Sequence, residues 1–196
     1  MIPWLALTPT APEWRIDWSA AEACFPEVEA LAACPQEPEY HGEGDVWTHT
    51  RMACEALAAD PAYRALPADQ RDLLFTTVLL HDVAKPACTR TEPDGRLSSR
   101  GHARRGSIHA RELLWRLGAP FAFREQVAAL IRHHQVPFHL LEDGDPVRKT
   151  ITVCQTARAD HLALLASADA RGRICADGDR LLESVALFVE QARELG

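Results

Sequence analysis

The chain has 196 residues, enough for one domain with a substantial core, and its 47% hydrophobic and 25% charged residues are ordinary for a globular protein. A net charge of −7 excludes a general nucleic-acid-coating surface and leaves room for a local basic patch only. No apolar run approaches the ~20 residues that span a bilayer, and Met1 to Thr10 lacks the basic start and long apolar stretch of a signal peptide.

Residues 1–18, with Pro3, Trp4, Pro9, Pro12, Trp14 and Trp18, are predicted to form an irregular arm packed on the helices, and residues 19–196 a single domain. Ser19 reads as the N-cap of a short helix ending near Ala33, before Cys34 and Pro35. Pro35 to Asp45 reads as a loop. A helix begins near Val46 to Thr48, carries His49, Met52, Ala53 and Leu57 at helical spacing, and is ended by Pro61. Pro67 opens the next helix, and Leu73, Leu74, Val78 and Leu79 make it too densely apolar for a surface element. This central helix delivers His81 and Asp82. Asp94-Gly95 is the turn signal of a short β-hairpin or ordered loop near residues 89–99. Helices are then predicted over Gly101 to Leu117, stopped by Gly118, and over Phe121 to His134, broken by Pro137. Pro146 to Thr156, His161 to Arg171 and Asp177 to Glu194 complete an all-α chain. The six cysteines form no Cys-x-x-Cys pair, which argues against a zinc ribbon and fits reduced thiols in a cytoplasmic protein.

An adjacent His-Asp pair cannot point both side chains one way within a helix; at a helix end, where the backbone turns, both can reach one ion. Further donors are His49, His102, His109, His133, His134 and Asp169. Imidazole with carboxylate and no soft sulfur suits one or two divalent transition metal ions: Mn, Ni, Co, Zn or Fe. Helices of a bundle can converge such groups on one internal site.

His49, then His81-Asp82, then Asp169, on successive helices, resembles the ligand order of the HD-domain metal-dependent phosphohydrolases. The strings Gly44 to Thr50, Gly101-His102 with Gly106, and Ser167 to Arg173 resemble the HD domain attached to bacterial tRNA nucleotidyltransferases. His81 to Thr89, Ser99 to Gly106 and Ile131 to Phe138 suggest a closer likeness to the HD phosphoesterase module that precedes a polynucleotide kinase in bacterial RNA end-healing proteins. The likeness covers roughly residues 40–192. It implies an all-α HD-domain bundle, either free-standing or excised from a longer protein with a polynucleotide kinase domain or partner.

The resemblance assigns His49, His81, Asp82 and Asp169 to a primary metal, and His102 and His134 to a second metal or the substrate phosphate, with Asp82 bridging. His133 falls where some relatives have a further ligand and others an aromatic residue. Lys85 would face a substrate oxyanion, and Arg100, Arg104 and Arg105 are candidates to grip phosphate. His41, His139 and His161 are read as structural, and His109 as packed or solvated. The implied reaction is phosphoester hydrolysis by water, since no serine or cysteine stands in a nucleophile motif. Asp82, Lys85, His102 and His134 are its catalytic candidates; His102 or His134 can protonate the departing oxygen only where it is not a ligand. The substrate class expected is an RNA 3′ end, or a nucleotide, bearing a 2′,3′-cyclic phosphate or a 2′- or 3′-phosphate. Alternatives are a 5′-nucleotidase-type hydrolase of mononucleotides and a non-catalytic metal-holding or RNA-docking module.

Overall fold

The computed structural model describes residues 2–142 and 144–195. A 3-10 turn at Pro3–Leu7 precedes α1 (Trp18–Cys24), α2 (Val28–Ala32), α3 (Val46–Ala59), α4 (Pro61–Arg64), α5 (Ala68–Leu80) and α6 (Lys85–Cys88). After β1 (Arg90–Thr91) and β2 (Leu97–Ser98) come α7 (His102–Arg116), α8 (Phe121–His133), α9 (Pro146–Cys154), α10 (Ala159–Arg171) and α11 (Gly178–Glu194). Among the described residues the two strands form one antiparallel hairpin, Arg90 opposite Ser98, turned at Gly95 with φ +86°. Apart from that hairpin and a single bridge between Pro35 and Asp45, the described residues are all-α.

Two N-terminal expectations need correction. The stretch to residue 18 is not wholly irregular: besides the 3-10 turn, Trp18 already begins α1, and the N-cap is Asp17, whose carboxylate accepts the Ala20 amide at 3.0 Å, not Ser19. The single helix expected up to Ala33 is two, because Pro26 holds Phe25 in an extended conformation (φ −108°, ψ 103°) and interrupts the run. The arm does pack on the helices. Trp4 is fully buried in the main core and donates its indole N–H to Thr76 Oγ1 at 3.2 Å.

α5 is the axle of the bundle, buried without interruption from Leu73 to Leu80 and flanked by α3, α8 and α10. Glycine sets two of the close approaches around it. A Cβ on Gly172 would lie 2.7 Å from the Ala53 backbone nitrogen, so the end of α10 rests directly on α3. A Cβ on Gly106 would lie 3.3 Å from Ile131 and 3.5 Å from the His81 carbonyl, so α7 sits close to both α8 and the end of α5. These contacts draw together the element ends that carry the histidines and aspartates. Among the described residues no helix is long and apolar enough to cross a membrane, and the six cysteines are free thiols.

Candidate metal centre

Each donor stands where a helix starts or stops. His49 follows the N-cap Asp45 of α3, whose carboxylate accepts the Thr48 amide at 2.8 Å. His81 is the C-cap of α5 and Asp82 lies in the turn beyond it, the placement that lets neighbours in sequence address one point. His102 opens α7 after Gly101, whose φ of +82° suits glycine. His134 is the C-cap of α8, and Asp169 comes from the last turn of α10. All six are buried.

Hydrogen bonds fix the histidine tautomers. Nδ1 of His81 lies 2.7 Å from the Val78 carbonyl, Nδ1 of His102 2.8 Å from that of Ser99, and Nδ1 of His134 2.8 Å from that of Ile131. Nδ1 of His49 lies 3.1 Å from the Gly172 carbonyl. A carbonyl only accepts, so each Nδ1 carries the proton and each Nε2 of a neutral ring presents a lone pair inward. Those lone pairs meet carboxylate oxygens. His49 Nε2 is 3.1 Å from Asp169 Oδ1 and 3.8 Å from Asp82 Oδ2, and His81 Nε2 is 3.2 Å from Asp82 Oδ2. On the other oxygen of the same carboxylate, His102 Nε2 is 3.2 Å and His134 Nε2 3.8 Å from Asp82 Oδ1. His102 Nε2 and His134 Nε2 are themselves 3.2 Å apart.

The donors thus form two groups, His49 with His81 and Asp169, and Asp82 with His102 and His134. Acceptors facing acceptors call for a cation between them. Nε2 of His49, Nε2 of His81 and Oδ1 of Asp82 have no hydrogen-bond partner although buried, which is costly unless a metal takes them. The donor set fits a divalent transition metal, with no cysteine in either group.

Charge around the donors is balanced by two cations. Lys85 Nζ lies 2.7 Å from Asp82 Oδ2 and donates to Gln36 Oε1 at 2.5 Å. Arg173 forks onto Asp169, with Nη2 at 2.8 and 3.0 Å from its two oxygens, and its guanidinium stacks 4.9 Å from the Phe138 ring. Burial alone would raise the pKa of Asp82, but His81 and Lys85 outweigh it and hold the group well below the usual carboxylate range. Asp169 is held down likewise against burial, chiefly by Arg173. Burial and then His102 push His134 down to about 3, so its ring is neutral.

Lys85, His102, Arg173 and His41 line a cavity of about 470 Å³ that opens over the donors, and Arg100 lines its rim. Three residues expected at the site lie elsewhere. His133 points away, as adjacent helical positions must, and its Nε2 lies 3.2 Å from Thr156 Oγ1. Arg104 and Arg105 line a neighbouring cleft instead, Arg105 donating to the Ala87 carbonyl at 3.2 Å. His109 lies 3.5 Å from Glu27 and is partly exposed.

The sequence reading missed His41, Glu43, Gln36 and Arg173. His41, read as structural, packs its ring edge-on against that of His49 at 4.9 Å. The Glu43 carboxylate accepts from His41 Nδ1 at 2.7 Å, His49 Nδ1 at 3.0 Å and the Ile174 amide at 2.9 Å. Burial raises its pKa, but these hydrogen bonds prevail and keep it ionised. The available signal for Arg173 was its position four residues after Asp169. A glutamine at position 43 has one acceptor oxygen where three N–H groups converge, so Glu43→Gln loosens the His49 ring, whose Nδ1–H keeps the Gly172 carbonyl alone. Metal affinity, measured by calorimetric titration, is expected to fall by about 10–100-fold, the usual cost of losing a carboxylate behind a ligating imidazole.

Fold and site together define a helical domain built around a paired His/Asp centre. The family model for the HD domain matches residues 45–181, more than half of the chain. The chain belongs to the HD-domain family of metal-dependent phosphohydrolases. It is 42% identical over 118 residues to the "Multifunctional CCA protein" of Halorhodospira halophila, covering 60% of this chain and 26% of that protein. It is 35% identical over 121 residues to the protein of the same name from Methylococcus capsulatus, 60% and 25% of the two chains. With that of Xanthomonas campestris pv. campestris it shares 31% identity over 163 residues, 81% and 37% of the two chains. The chain thus matches between 25% and 37% of the length of these three relatives. They agree with the likeness to HD domains of bacterial tRNA nucleotidyltransferases; the closer likeness expected to the kinase-linked end-healing module gains no support from them.

Proposed function

We propose that the domain hydrolyses 2′,3′-cyclic phosphates and 2′- or 3′-phosphates at RNA 3′ ends, using water as nucleophile. The observation that carries this reading is the set of inward Nε2 lone pairs shared between two donor groups by the two oxygens of Asp82. A bound divalent ion supplies polarisation of a phosphoryl oxygen and makes water nucleophilic near neutral pH. His49, His81 and Asp169 would hold one ion and His102 with His134 a second, with Asp82 between; Mn, Co, Ni, Zn and Fe all suit these donors. Lys85 and Arg173 keep the carboxylates ionised and line the cavity where an equatorial phosphoryl oxygen would sit. Neutral His134 is a poor proton donor, and His102 as a ligand, with its Nδ1–H on the Ser99 carbonyl, has no proton to give, which leaves a water to protonate the leaving oxygen.

The relatives' shared name and the resemblance to tRNA nucleotidyltransferase HD domains favour an RNA 3′ end. A mononucleotide hydrolase is the second reading, favoured by the cavity of about 470 Å³, within the roughly 300–1,000 Å³ of small-ligand pockets. A metal-by-substrate activity matrix separates them, with Asp82→Ala as control. Hydrolysis of nucleoside 2′,3′-cyclic phosphates and 2′-monophosphates with at least one transition metal is expected. Inertness towards both with every metal overturns the proposal, and turnover of 5′-deoxymononucleotides alone moves the function to nucleotidase.

Metal binding should depend on pH in one direction. Burial disfavours protonated His49, but the carboxylates of Asp169 and Glu43 on either side of its ring favour the protonated form, outweigh burial and raise its pKa above the ordinary value. A metal taking Nε2 must expel that proton. Affinity is therefore expected to fall as pH drops through the raised His49 pKa, by up to about tenfold per pH unit for one displaced proton, and to level off above it. Calorimetry in buffers of different ionisation enthalpy would count the released proton; affinity unchanged with pH would refute it.

A further inference from the structure

We propose that the arginine-lined cleft beside the donor cavity holds the backbone phosphates of the RNA strand that leads to the reacting 3′ end. The inference rests on the RNA 3′-end reading above and deepens it, from the terminal phosphate to the polymer behind it.

The cleft has a volume of about 440 Å³ and is walled by Arg90, Arg100, Arg104 and Arg105. Arg90 comes from β1, Arg100 from the turn after β2, and Arg104 and Arg105 from the first turn of α7. Four guanidinium groups on three neighbouring elements of a chain with net charge −7 are a local reversal of the protein's field. All four are exposed. The ion pairs that arginine makes among the described residues involve other positions. Glu92 also lines the cleft, but its carboxylate accepts from Ser98 Oγ on the facing strand. Arg105 is steadied by the Ala87 carbonyl, which leaves its remaining N–H groups for a ligand.

Position gives the cleft its direction. Arg100 and Gly101 line both the cleft and the donor cavity, so the two spaces meet at the residue that precedes His102. A terminal phosphate over the donors would send the preceding nucleotides past Arg100 into the cleft, where guanidinium groups bind phosphodiester oxygens as two-pronged donors. A mononucleotide fills the cavity and leaves the cleft empty; an oligonucleotide engages both. The cleft then selects polynucleotide ends over free nucleotides.

The test uses the full chain with Arg90→Ala, Arg104→Ala and Arg105→Ala combined, Arg100 being kept because it borders the donor cavity. Binding of a fluorescent hexaribonucleotide with a 3′-phosphate is followed by anisotropy across a salt series. The parent's log-affinity should fall with log salt, and the variant should bind at least about tenfold more weakly with a slope shallower by about 2, three lost contacts at roughly 0.7 each on a single strand. Replacing the same three positions by lysine should restore most of the slope, and a variant whose melting temperature equals the parent's excludes misfolding. The ratio of kcat/KM for an oligonucleotide 2′,3′-cyclic phosphate to that for the mononucleoside 2′,3′-cyclic phosphate should fall by about the same factor as binding. Equal affinity and slope in parent and alanine variant overturn the cleft assignment, even if RNA ends are hydrolysed. Absence of all hydrolysis instead defeats the functional proposal, while the salt slopes still decide the cleft.

Discussion

Asp82→Ala is expected to abolish activity and strip metal from both donor groups at once. No other donor reaches both: its Oδ2 lies near His81 and His49, and its Oδ1 near His102 and His134. Loss of a carboxylate that only orients a ligand costs about 10–100-fold, so loss of the shared donor itself should exceed about 100-fold in metal affinity. The metal-free variant should also be less stable. Lys85 is buried and its ammonium would keep only Gln36, and an uncompensated buried charge costs about 3–5 kcal/mol. Asp82→Asn separates the two effects. It retains an oxygen to accept from Lys85 while losing the negative charge the ions need, so metal loss should persist with a smaller drop in melting temperature. Elemental analysis of purified variants with paired thermal melts would check this, and an alanine variant that keeps a full metal complement would refute the shared-donor geometry.

Much of this centre was legible because helix periodicity locates element ends. Proline 61, 67 and 137 and glycine 101 and 118 mark the borders that place His81, His102 and His134 at starts or stops, and the structure puts them there. What escaped lies where no period exists. Glu43, His41 and Gln36 belong to the irregular stretch between α2 and α3, which reaches the site through long-range contacts such as Lys85 to Gln36. A glutamate in a loop looks the same whether it holds a ligand histidine or faces water. His133 and His134 show the converse limit: adjacent histidines offer the same chemistry, and the break of α8 at that point decides which one faces inward. Arg104 and Arg105 were rightly read as a basic cluster beside His102, but direction, which sequence spacing alone does not supply, turns them from the cavity into the adjoining cleft.

The distance between α3 and α10 is the dimension on which the centre depends, and Gly172→Ala should change it. The added Cβ would meet Ala53 N at 2.7 Å, its Cα at 2.8 Å and its Cβ at 2.9 Å. Two of these are backbone atoms of a buried helix, so no flexible side chain can yield and the helices must separate. Overpacking of this kind costs about 1–3 kcal/mol. The same movement acts on the site, since His49 on α3 bonds the Gly172 carbonyl at 3.1 Å and faces Asp169 of α10 at 3.1 Å. A displacement of about 1 Å in a catalytic constellation costs on the order of 100-fold, and a loss of that size in metal-dependent turnover is expected. Gly118→Ala supplies the control: its φ of +72° strains any L side chain, but it lies beyond α7, outside the donor groups. It should lower the melting temperature and leave metal affinity unchanged. Ala53→Gly in the Gly172→Ala background removes only the 2.9 Å contact and should rescue only in part. If Gly172→Ala melts and binds metal as the parent does, close helix approach is not what brings His49 to Asp169.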